Sequence, residues 1–200
     1  MPTSTKMAIP YPASTDLVKD GATNMGSMAT QIDAKTGLVL ISATTFSGVS
    51  SQSINDVFST NYDNYRILFK SITASGAGPV ISLRLRLSGT DTSANYGTQR
   101  MFAQGASVSA NRDAFGTDEI YVVDSTTANP QNACADMIFY SPNKAEVTTY
   151  TNIGEALLGA TLYMQTSCGF QNSTTQFTGF TLLADSGTFG GTVAVYGFNK

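Results

Sequence analysis

The stretch Ile81-Ser82-Leu83-Arg84-Leu85-Arg86-Leu87-Ser88 puts an apolar side chain at every odd position and a polar one at every even position. Successive side chains of a strand point to opposite faces, so this alternation specifies a half-buried β-strand, with one face in a core and the other wet or at an interface. A helix would scatter the same leucines around its circumference. The rest of the chain must supply the sheet that covers the apolar face.

Period-two patterning continues from Gly37 to the C-terminus. Further strands are predicted at Leu38 to Phe46, Tyr65 to Ile72, Glu119 to Asp124, Ala135 to Tyr140, Ala145 to Asn152, Ala160 to Cys168, Phe177 to Leu183 and Thr192 to Phe198. Turn chemistry separates them, as at Ser75-Gly76-Ala77-Gly78-Pro79, Ser88-Gly89-Thr90-Asp91, Ser141-Pro142-Asn143 and Asp185-Ser186-Gly187. The long connection from Thr90 to Asp118 is mixed in character, with a hairpin expected around Arg100 to Ser107. Charged residues make up 12% of the chain, about half the usual share, and Ser and Thr roughly a quarter. Many short strands without intervening helices predict a mainly β chain, an antiparallel, jelly-roll-like β-sandwich over residues 37–200.

Residues 1–36 read differently, as a short arm and helix. Pro2, Pro10 and Pro12 make the start extended. Helix signals run from Ser14 or Thr15 as N-cap to Asp33, and Gly37 marks the boundary. Val18, Ala22, Met25, Ala29 and Ile32 follow the spacing of a heptad seam. So short a helix, interrupted by Gly21 and Gly26, is marginal alone and needs a partner: its own β domain, copies of itself or a docking protein.

The chain has no histidine. The commonest general base and transition-metal ligand are therefore missing, which removes Ser-His-Asp and Cys-His catalysis. No phosphate-cradling, dinucleotide or EF-hand motif is present, and no cofactor is expected. Paired carboxylates remain as a glycosidase option, with Asp113, Asp118, Glu119, Asp124, Asp136, Glu146 and Glu155 as scattered candidates. Asp113 to Glu119 offers oxygen ligands for calcium, a solvated loop being the simpler reading. Arg84 and Arg86 share one strand face and are spaced to grip a carboxylate or phosphate, or else to meet solvent or another subunit. Tyr96, Phe102 and Phe115 are read as loop aromatics, either sugar-stacking or anchored on the sandwich. Cys134 and Cys168 are read as buried structural thiols.

A net charge of -3 with scattered basic residues argues against nucleic-acid binding, and no apolar run is long enough to insert in a membrane. The polar N-terminus lacks the apolar core of an export signal, so the chain is expected to be made and kept in a cytoplasm or released by lysis. The Asn172-Ser173-Thr174 sequon is then a chance match in a turn.

The phrase Tyr11-Pro12-Ala13-Ser14-Thr15-Asp16-Leu17-Val18-Lys19-Asp20-Gly21-Ala22, with Tyr62-Asp63-Asn64-Tyr65-Arg66-Ile67 and the ending from Gly191 to Lys200, resembles small bacteriophage virion proteins. These are described as tail-fibre-like or head-fibre, capsid-associated proteins. The resemblance implies a non-enzymatic fibre-type protein located in the virion, made in the host bacterial cytoplasm. Tyr11, Pro12, Leu17, Val18, Ala22, Met25, Ala29 and Ile32 then serve attachment to other virion proteins and oligomerisation, with a homotrimer expected. Arg84, Arg86, Tyr96 and Phe102 become candidate contacts to a host-surface glycan or a neighbouring subunit. The alternatives are a capsid decoration protein without a receptor and, third, a carbohydrate-active enzyme.

Overall fold

A computed structural model describes residues 20–33, 37–75, 79–124, 133–158 and 160–199. Helix α1 covers Gly21–Asp33. The strands are β1 (Leu38–Val49), β2 (Ser51–Ile54), β3 (Asn64–Ser75), β4 (Val80–Leu87), β5 (Thr90–Asp91), β6 (Tyr96–Gln104), β7 (Ser107–Thr117), β8 (Ile120–Asp124), β9 (Ala133–Tyr140), β10 (Thr148–Leu158), β11 (Thr161–Gln171), β12 (Gly179–Ala184) and β13 (Thr188–Phe198). Two compact units are present: Met1–Val39 with Asn199, and Leu40–Phe198 with Lys200.

In the first unit, α1 has no acidic side chain in its first turn and no basic one in its last to complement its dipole. The N-cap expected at Ser14 or Thr15 lies outside the described residues. No helix among the described residues is long and apolar enough to cross a membrane.

The second unit is an antiparallel β-sandwich. Eight strands form one sheet in the order β1-β13-β3-β9-β10-β11-β6-β7. Five form the other, β2-β12-β4-β5 with β8 also paired to β4. All nine predicted strands are present, with adjusted ends. The strand expected from Ala145 begins at Thr148. Ser141 to Glu146 turns instead, with Lys144 N donating to Ser141 O at 3.1 Å and Asn143 Nδ2 to Phe177 O at 2.7 Å. The expected hairpin is longer than read, β6 pairing with β7 from Tyr96–Thr117 to Gln104–Ser107. At Ser88 and Gly89 both central turn residues have positive φ (49° and 85°), the type I′ geometry whose twist suits a tight hairpin.

The alternation that opened the sequence is met in β4, where Ile81, Leu83 and Leu85 are fully buried. They face Tyr65, Ile67, Phe69, Met137 and Phe139 of the large sheet within one cluster. Phe58, between β2 and β3, joins the layers, its ring centroid 4.8 Å from Tyr65 and 5.9 Å from Phe180. Burial of such side chains, about 1.5–3 kcal/mol each, is the main driving term. Along one side, the connections from β1 to β2 and from β12 to β13 each pass from one sheet to the other. Thr45 and Thr192 hydroxyls meet at 3.0 Å between β1 and β13, and Asn199 N donates to Gly37 O at 3.2 Å. Because the large sheet has more strands, β7 overhangs, and residues 107–112 are all exposed.

The interior also holds a polar tie. In the β4–β8 ladder Ile81 pairs with Val123 and Ser82 with Tyr121, so Val122 is a bulge residue skipped by the register. Its carbonyl accepts from Asn152 Nδ2 of β10 at 2.9 Å and from Gln165 Nε2 of β11. Gly154 lets β8 approach, since a Cβ there would lie 3.3 Å from Val122 O. Replacing both Asn152 and Gln165 by Ala leaves this buried acceptor unmet. The unfolding free energy is expected to fall by about 1–3 kcal/mol beyond the loss from side-chain volume, read as a lowered urea midpoint with an unchanged slope.

Candidate functional site

Three places gather the residues singled out in the sequence. The first is the attachment segment. Tyr11, Pro12, Leu17 and Val18 lie outside the described residues. On α1, Ala22, Met25, Ala29 and Ile32 are all exposed, Met25 at 66% and Ile32 at 43%. The covered face of the helix is a neighbouring one, with Asn24 buried and Gly21, Ser27 and Met28 half-buried.

The second is the outer face of the small sheet. Arg84 and Arg86 do share it, as expected, but each guanidinium is already engaged. Arg84 Nη2 lies 2.6 Å from Asp118 Oδ2 and 3.4 Å from Glu119 Oε2, while its Nε donates to Asp118 O. Arg86 Nη1 donates to Thr181 Oγ1 at 2.7 Å and to Ser53 Oγ, and Nη2 donates to Gly89 O. Arg86 Nε lies 3.3 Å from Asp91 Oδ1, an ion pair without hydrogen-bond alignment. These two side chains tie β4 to its neighbours. Asp118 and Glu119 are turned to Arg84, and no group of three or more metal-ligating side chains gathers among the described residues.

The loop reading of the aromatics is corrected. Tyr96 opens β6 and is fully buried; its hydroxyl accepts from Leu85 N at 2.8 Å and donates to Thr92 O at 3.0 Å. Phe102, in the same strand, stacks on Tyr163 with centroids 5.6 Å apart, and the Arg100 guanidinium lies over both Phe102 and Tyr121. Phe115 falls within β7, its side chain outside the described residues. All three belong to strands because the connection from Thr90 to Asp118 is a long hairpin.

The third place was not found in the sequence: the outer face of the large sheet. Here β11 is inverted. Tyr163, Gln165 and Ser167 point inward and are buried, whereas Leu162, Met164, Thr166 and Cys168 point outward and are exposed. β10 follows, with Asn152 buried and Ile153 62% exposed beside it. Register aligns Leu68, Asp136, Ile153, Thr166, Met101 and Ala110 in one row across six strands. A hollow of about 540 Å³ lies on one side of Ile153, lined by Arg66, Met101, Ile138, Thr151, Thr166 and Cys168. Another of about 450 Å³ lies beside it, lined by Leu68, Cys134, Glu155 and Met164 among others. Arg66 and Asp136 cross the face as a forked pair at 2.5–3.2 Å, and Asp136 raises the affinity of the guanidinium for its proton. Half-exposed, the pair contributes little stability.

The cysteines sit on this face, so the reading of both as buried thiols is corrected: Cys134 is half-buried and Cys168 exposed. Cys134 pairs across from Glu155 and Cys168 from Thr151. Four residues along a strand, about 13 Å, keep them too far apart to bridge. Burial and a hydrogen bond to Glu155 hold Cys134 as the thiol.

The carboxylates considered for glycosidase chemistry are mostly engaged where they stand: Asp118 and Glu119 by Arg84, Asp136 by Arg66, Asp124 by Tyr121 and Tyr163, Glu155 by Cys134. Neither a scan of protein-family models nor a search of curated proteins finds a match to this chain.

Two predictions follow from these side chains. Arg84→Ala is expected to cost under about 1 kcal/mol, because Asp118 is solvated. Arg86→Ala removes the cation beside Asp91 and leaves Ser53, Thr181 and Asp91 with only their bonds to one another, and is expected to cost about 1–3 kcal/mol by thermal denaturation. The tyrosines set the alkaline limit. Burial pushes Tyr163 up to about 12 and raises Tyr96 and Tyr121 as well, whereas unfolded tyrosines ionise near pH 10. The unfolded chain thus releases protons first. Stability present below about pH 10 is expected to fall as pH rises toward 12, followed by unfolding and by phenolate absorbance together.

Proposed function

We propose that this chain is a non-enzymatic structural subunit of a bacteriophage virion, a fibre-type protein of the tail or head that assembles with copies of itself and attaches through residues 1–36. The observation that carries the reading is the exposed seam on α1. Ala22, Met25, Ala29 and Ile32 keep heptad spacing yet face solvent in the lone chain, and a helix of 13 residues does not hold itself together by propensity. Such a helix is stable when its stripe is covered by equivalent helices or by a docking protein. The resemblance of Tyr11 to Ala22 to phage virion proteins supplies the particle, and a homotrimer is the assembly proposed. The engaged state of Arg84, Arg86 and Tyr96 leaves host-surface recognition to other parts of the sandwich surface.

Particles purified from infected cells are expected to contain the chain, detected by mass spectrometry in fixed stoichiometry with the other structural proteins. The double variant Met25→Glu, Ile32→Glu is expected to keep the β-sheet circular dichroism of the wild type while its recovery in particles falls at least tenfold. Particles without the chain overturn the proposal. Deleting the gene then distinguishes its two forms: lost adsorption marks a receptor-binding fibre, and fragile heads mark a decoration protein.

A further inference from the structure

A solvated sheet face should alternate away from apolar side chains, and the outer face of the large sheet does the reverse. Among the exposed large apolar side chains, Met101, Val108, Ile153, Leu162 and Met164 all lie on this one face, on β6, β7, β10 and β11. The overhanging hairpin repeats the inversion. Register places Val108 and Ala110 of β7 opposite Ala103 and Met101 on the outer side, and Ser107 and Ser109 opposite Gln104 and Phe102 on the inner. Apolar side chains concentrated on one outward surface mark an interaction site.

From this placement we infer that a second copy of the chain docks face to face on the outer face of the eight-stranded sheet, a two-fold contact separate from the trimer proposed through residues 1–36; the inference rests on the reading of the chain as a self-assembling subunit. Three features select a copy over another occupant. Relief is the first: Ile153 stands between two hollows of about 540 and 450 Å³, so the face carries both the knob and the holes that a like face needs. Charge is the second. Arg66 and Asp136 neutralise each other, and Lys70 and Glu155 bring both signs to the second hollow, so a second copy meets no field of its own sign. Extent is the third. Six strands span about 25 Å across, and five residues about 15–20 Å along. Two such faces together cover about 750–1,000 Å², the range of a weak, concentration-dependent contact.

Cys168 reports on this face. With a second copy in place its thiol is shielded, and shielding follows mass action, so no variant is needed to see it. The experiment measures maleimide labelling of the Cys168 peptide by mass spectrometry, in the full-length protein from micromolar to nanomolar concentration, alongside light scattering. Labelling is expected to be at least tenfold slower at micromolar than at nanomolar concentration. Met164→Glu is expected to remove the slow labelling and shift the protein toward monomer while the circular dichroism stays unchanged. If that variant fails to fold, the concentration series on the wild type still decides. Free reactivity of Cys168 in a wild-type oligomer overturns this interface and leaves the self-assembling subunit standing. A wild-type monomer at every concentration overturns both. Slow labelling that neither dilution nor Met164→Glu relieves also overturns it, since something other than a second copy then covers the thiol.

Discussion

The carbonyl of Val122 is the point through which the two sheets are registered at the β8 side of the sandwich. The bulge in β8 takes this acceptor out of the β4 ladder, and a buried carbonyl without a donor is costly. Asn152 and Gln165 answer from the other layer, so polar side chains occupy inward positions of β10 and β11 that leucine or valine would ordinarily fill. Near β1, β3 and β13 the layers are held by ring packing and by chain crossings. Around β8 they are held by amides, and Arg100 lies over Tyr121 in place of an aliphatic contact.

That choice settles what the outer surface looks like. Side chains of a strand alternate strictly, so committing Gln165 and Ser167 to the interior sends Leu162, Met164 and Cys168 outward. The apolar outer face and the polar interior are two sides of one register. A shift of one residue in β11 would bury Met164 and expose Gln165, but it would also strand Val122, which keeps the register fixed.

This dependence explains which parts of the fold were legible. Alternation in β4 is unambiguous because one parity is apolar, and there the strand position followed from local pattern. In β11 the pattern Leu162-Tyr163-Met164-Gln165 identifies a strand without identifying its face; the deciding partner is a carbonyl 43 residues away in sequence. The same holds for Arg84 and Arg86: their spacing put them on one face, while their engagement depends on Asp118, Asp91 and Thr181 from other strands. Tyr96 looked like a loop residue because its neighbours are polar, whereas its burial comes from Leu85 and Thr92 across the β4–β6 connection. The seam on α1 was visible as spacing, and its exposure was not.

The joining of β1 to β13 also has a mechanical meaning. β1 lies next to the last strand of the chain, and Asn199 N bonds to Gly37 O just ahead of it. Hydrogen bonds between strands run across the strand direction. Tension drawn along β1 from its N-terminal end therefore loads those bonds together in shear, instead of peeling them one by one. A sandwich pulled from the start of β1 yields later than one pulled at right angles to its edge strand.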